Sequence, residues 1–236
     1  MATTLQVLID QVRAHLVAPI TTDLFWTDAE LVAILNNGIK DLWKAINDDY
    51  QNYFLTVDIT NVSLAASSNT LTGVPTNVGI VRNLEARDLS AYPYLKFEHR
   101  AWDHKDFVAA RAQGTIESSN ARLLYFDVTD AGSPVGAPTI RVAPKVSAAL
   151  LLSLSYVPGL TTLTASGTNP IPGESDQALI CWGVAYARAK EREDRAPDPA
   201  WIAIYEKVEK AKLLVSLTPR QTQDEEVAEA LFEEYW

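Results

Sequence analysis

Apolar positions along the chain recur at two different periods. Leu5, Leu8, Val12 and Leu16 stand three to four residues apart, which predicts a short amphipathic helix over Thr3 to Val17 that Pro19 helps to end. A longer stripe of Leu31, Ile34, Leu35, Ile39, Leu42, Trp43, Ile46 and Tyr50 predicts a helix burying one wide face in a bundle. Its start is specified by Trp26, Thr27, Glu30 and Leu31. Thr27 is placed to cap the N–H of Glu30 while Glu30 reaches back to Thr27, and Trp26 and Leu31 flank this capping box as a hydrophobic staple. Gly38 costs this helix about 1 kcal/mol relative to alanine unless close packing requires it.

From Tyr53 to Leu160 the period shortens toward two, and prolines and glycines become frequent. Leu150, Leu152, Leu154 and Tyr156 alternate with Leu151, Ser153 and Ser155, predicting a half-buried strand that stops at Pro158 and Gly159. Phe54 to Leu64, Gly79 to Leu84, Leu123 to Thr129 and Thr139 to Ala143 are further strands, spaced as in a small antiparallel sandwich, with a short helix or crossover over Trp102 to Gln113. Helical spacing returns after Gly173. One face holds Leu179, Trp182, Tyr186 and Ala189, and a last helix opened by Asp198 and Pro199 has the face Trp201, Ile204, Tyr205, Val208, Ala211 and Val215. The expected fold is α+β: a helical bundle from both chain ends (1–52 and 171–217), an inserted antiparallel β-sandwich-like domain (53–170) and a C-terminal extension (218–236).

Composition narrows the function. Of 236 residues, 47% are hydrophobic and 21% charged, as in an ordinary globular protein, and no apolar run approaches the roughly 20 residues that span a bilayer, so no membrane partner is expected. Met1 to Asp10 lacks the pattern of a secretory signal, so synthesis is expected to end in the cytoplasm. A net charge of −10 disfavours broad phosphate binding, although nucleic acid could pass nearby without sticking. Residues 218–236 contain six acids and one base, a net −5. They also hold Val227, Leu231 and Tyr235 at i, i+4 and i+8, with Phe232 and Trp236 beside them. Such an acidic segment would ordinarily be a solvated, disordered tail, but the stripe lets it form an amphipathic helix, which is expected to dock onto a partner.

Signatures of nucleotide binding, serine nucleophiles and zinc enzymes are missing, and no cofactor or enzymatic activity is expected. Glu98, His99, Asp103, His104 and Asp106 crowd one stretch and could in principle hold a metal. His99 and His104 lie five apart, off the helical i, i+4 spacing, so a solvated polar connector is the stronger reading. A single cysteine, Cys181, excludes an intramolecular disulfide. Asp48 and Asp49 project about 100° apart on a helix and read as surface charges. The mixed-sign run Glu191 to Arg195 reads as an exposed helix end or a subunit contact, and four tryptophans fall in predicted helices rather than on a sheet face suited to sugars.

Two segments resemble tailed-phage head-to-tail adaptor (connector, or head completion) proteins. Trp26 to Leu31, followed by Ile34, Leu35, Asn36 and Asn37 up to Trp43, is similar to the Trp-Ser/Thr-Asp, Glu-Leu and Leu-Asn elements that begin that family's second helix. Tyr156, Val157 and Pro158, then Ile171 to Glu174 and the helices Ala178 to Arg195 and Asp198 to Leu217, resemble its Tyr-x-Pro strand end, Pro-led turn and closing helices. The resemblance implies a structural virion protein in the neck between capsid portal and tail. It implies a homo-oligomeric ring, a dodecamer, bound to the portal protein, extending the DNA channel for genome ejection and offering an attachment site to tail or nozzle proteins. Another neck or tail-terminator protein, or a sugar- or receptor-binding module, is the alternative.

Overall fold

The computed structural model describes residues 3–16, 25–50, 52–88, 92, 94–129, 137–192 and 194–217. Helices α1 (Leu5–His15) and α2 (Asp28–Asp49) come first, α3 (Lys105–Ala112) lies among the strands, and α4 (Asp176–Arg188), α5 (Pro199–Ile204) and α6 (Lys210–Leu217) follow them. This mixture of helices and sheets is of the α+β class. The chain divides into two compact units, one from the segments up to Tyr50 and from Thr162 onward, the other from Gln51–Thr161.

In the helical unit α4 is the central element, with α1, α2 and α5 packed on it. Sequence periodicity predicts one buried stripe on α4. Instead Ala178, Leu179, Ile180, Cys181, Val184 and Ala185 are all buried, while Trp182 and Tyr186 are only half-buried. A helix enclosed by three others buries nearly its whole circumference, so its pattern is no longer amphipathic. On α2 the stripe is largely as predicted, but Ile34 and Trp43 are half-buried and Asn36, Gly38 and Asn47 are buried beside Leu35, Leu42 and Ile46. Gly38 explains itself: a Cβ there would lie 2.8 Å from Cδ1 of Trp182. Residues 162–170 join this unit through hydrogen bonds. The N–H of Leu5 donates to the Gly167 carbonyl at 2.9 Å, and the buried Asn36 amide donates to the Leu163 carbonyl and accepts from its N–H.

The strand unit is organised on β10 (Leu150–Pro158), flanked antiparallel by β4 (Val78–Ala86), β1 (Thr56–Asp58) and β2 (Ser63–Leu64), with β3 (Leu71–Thr72) beyond β2. Leu150, Leu152, Leu154 and Tyr156 enter the core and Leu151, Ser153 and Ser155 face outward, as the alternation predicts. The predicted strand over Phe54 to Leu64 is two strands. Asp58 breaks it by accepting the N–H groups of Thr60 and Asn61 at 2.9 and 3.2 Å, a local turn that competes with the ladder. The pairing is also not wholly antiparallel as expected. β5 (Lys96–His99) runs parallel to β7 (Leu123–Thr129), and β6 (Thr115–Ile116) parallel to β9 (Lys145–Val146), while β7 pairs antiparallel with β8 (Thr139–Ala143). Parallel neighbours need a long crossover, and the segment holding α3 supplies it between β5 and β7.

Candidate functional site

The start of α2 is tied to both flanking helices of its unit. Thr27 Oγ1 accepts the Glu30 N–H at 3.3 Å, and Glu30 Oε2 accepts the Thr27 N–H at 2.9 Å. Trp26 and Leu31 are buried, and the Trp26 indole N–H donates to the Ala187 carbonyl at 2.9 Å. Buried Arg13 of α1 donates to the Trp26 carbonyl at 2.6 Å and to Asp28 at 2.8 Å. Lys190, past the end of α4, donates to both Glu30 oxygens at 2.8 and 3.0 Å and to the Phe25 carbonyl. The hydrogen bond from Lys190, followed by that from the Thr27 backbone, pulls the Glu30 carboxyl from an ordinary 4.5 down to about 2. These residues do not converge on a cavity. They form a clamp that fixes the direction in which α2 leaves the chain.

Near the same end of α4, where its N–H donates to the Ala185 carbonyl at 3.0 Å, Asp198 caps α5 by accepting the Ala200 N–H at 3.0 Å. Between α5 and α6 the helix widens into a π-turn over Tyr205–Glu209. The extra residue in that turn shifts the helical phase, which overturns the predicted buried face. Only Tyr205 of that face is buried, joined by Leu213, whereas Ile204, Val208 and Val215 are 41%, 51% and 73% exposed. Tyr205 Oη donates to Asp41 at 2.5 Å and Lys210 Nζ donates to the same oxygen at 2.7 Å. Burial alone raises the Asp41 pKa, but the Lys210 and Tyr205 hydrogen bonds outweigh it and leave the group below its usual value. Burial, then the hydrogen bond to Asp41, pushes the Tyr205 hydroxyl far up, so it stays a donor. Trp182 stacks on Tyr186 with centroids 4.3 Å apart and meets Tyr205 edge-on at 5.1 Å. Aromatic packing and one shared carboxylate thus hold this helix down on one side and leave a row of aliphatic side chains on the other.

The acid and histidine stretch is dispersed. Glu98 is paired with Arg100, His99 meets the Phe126 ring edge at 5.3 Å, and His104 caps α3 by accepting the Asp106 N–H at 3.3 Å. Among the described residues no three His, Cys, Asp or Glu side chains are grouped to hold a metal ion. The outward face of the main sheet carries Val57, Asn83, Glu85, Leu151, Ser153 and Ser155, aliphatic, polar and acidic groups rather than the rings of a sugar platform. Val227, Leu231, Phe232, Tyr235 and Trp236 lie outside the described residues. Sequence reasoning missed Arg13 and the outward row on α5 and α6, and met Asn36 and Asp41 only within the stretch that resembles the family, without their contacts to Leu163 and to Tyr205 and Lys210.

Residues 3–227 match the family described as SU10 adaptor protein, and the chain belongs to that family. It is therefore a structural adaptor of a phage and a component of the virion neck, the kind of protein that Trp26 to Trp43 and Tyr156 to Glu174 resemble. No curated protein matches the chain. Among the described residues no helix is long and apolar enough to cross a membrane.

Proposed function

We propose that copies of this chain form a ring, twelve to a particle, seated on the portal protein, so that the ring prolongs the channel through which DNA leaves and presents its far side to tail or nozzle proteins. Membership of an adaptor family supports this reading. The observation that carries it is that α6, anchored through Leu213 and Lys210, leads directly into residues 218–236, where a net −5 is combined with Leu231, Phe232, Tyr235 and Trp236. Burial of each of those large side chains in a neighbour contributes about 1.5 to 3 kcal/mol before ordering costs, and repetition around a ring turns a weak contact into firm attachment. The excess of acid discourages DNA from sticking as it passes, so the function needs no sequence-specific base contact. No step of this role calls on a catalytic group. Removing residues 218–236 is expected to leave the thermal unfolding midpoint unchanged and to abolish portal binding. Undiminished binding by the shortened chain would refute the assignment of the docking segment.

A further inference from the structure

The helical unit carries a concave and a convex feature of opposite character on the same chain. Between α1 and the start of α4 runs an open groove of about 530 Å³ with Ile180 at its base, flanked by Val7, Gln11 and His15 on one side and Gln177 and Glu174 on the other. A hydrogen bond from Thr3 Oγ1 to Asp176 at 2.5 Å crosses its lining. Val7 is 45% exposed, and Glu174 is in no ion pair among the described residues. The convex feature is the row Ile204, Val208, Ala211 and Val215, exposed every three to four residues along α5, the π-turn and α6. Exposed Lys207 and Lys212 stand beside it, neither in an ion pair among the described residues.

We infer that the ridge of one copy seats in the groove of a second copy, with Lys207 and Lys212 facing Glu174 and Asp176. The ridge cannot turn into the groove of its own chain, because Tyr205 and Leu213 on the opposite side are buried and Tyr205 and Lys210 are held by Asp41. Apolar side chains meet a half-apolar trough, and two bases meet two acids. The acidic segment 218–236 has the wrong sign for this groove. A contact between two different patches is head-to-tail, and such contacts propagate into a ring when the rotation closes. The inference rests on the ring proposed above and names the surfaces that make it.

Chains carrying Val208→Cys and Gln177→Cys, mixed on purified portal and treated with a short bismaleimide, test the contact; native Cys181 is buried. A dimer band is expected from the mixture and from neither variant alone. Adding Lys207→Glu and Lys212→Glu to the first chain should cut that band at least tenfold, and Glu174→Lys in the second should restore it. Val215→Cys with Gln11→Cys provides a second pair should either of the first two fail to fold. Rings seen by electron microscopy with no dimer band from either pair would overturn the inference and leave the ring standing. Absence of rings from the unmodified chain would bring down both.

Discussion

Gly38 shows how little of a single residue's role is local. Helix propensity alone favours alanine there by about 1 kcal/mol. The Cβ, however, would lie 2.8 Å from the Trp182 ring, whose N–H is committed to the Ile34 carbonyl at 3.0 Å, so the indole has little freedom to retreat. Overpacking of this kind costs about 1 to 3 kcal/mol, and Gly38→Ala is expected to lower the thermal midpoint; a rise would mean that the ring yields. Glu30 gives a pH signature. Its folded pKa of about 2 lies below the ordinary 4.5, so its contribution is complete above about pH 4.5 and is lost as the pH falls toward 2. The side chain is 45% exposed, which limits the effect to about 1 kcal/mol. Glu30→Gln should therefore lose about that much stability at pH 7 and only a small part of it at pH 2, as measured by urea unfolding at the two pH values. The capping box was legible because its partners are three residues apart, whereas Asn36 was not, because its partner Leu163 lies 127 residues away.

At the scale of elements, the sequence was readable where one face meets a core and another meets water. β10 satisfies that condition, and its alternation translates directly into energies. Leu154, fully buried between β1 and β4, should cost about 2 to 5 kcal/mol as Leu154→Ala, while Leu151→Ala, at 58% exposure on the same strand, should stay within about 0.5 kcal/mol. Equal losses in chemical denaturation would show that the strand is not half-buried in solution. Legibility ended where geometry depends on a distant neighbour. The four-residue β5 has its direction set by β7, and the turn at Asp58 divides what periodicity alone reads as one strand. The π-turn is the clearest case. A single extra residue between Ile204 and Lys210 moved half of a predicted core stripe to the surface, and no apolar spacing announces it.

For the whole molecule, charge is distributed unevenly. Gln51–Thr161 contains nine acids and nine bases, so the net −10 resides entirely in the helical segments and in residues 218–236. The helical unit leaves an aliphatic ridge and a groove uncovered on a single chain, the two surfaces that the proposed ring would bring together. The adaptor family was legible in the sequence through the order of its structural motifs, Trp26 to Trp43 and Tyr156 to Glu174, rather than through any catalytic signature. The decisive measurement is electron microscopy of the unmodified chain mixed with its portal, with subunits counted in the class averages. Coaxial rings of cyclic symmetry on the portal are predicted, and chains that remain single beside bare portals would contradict the account.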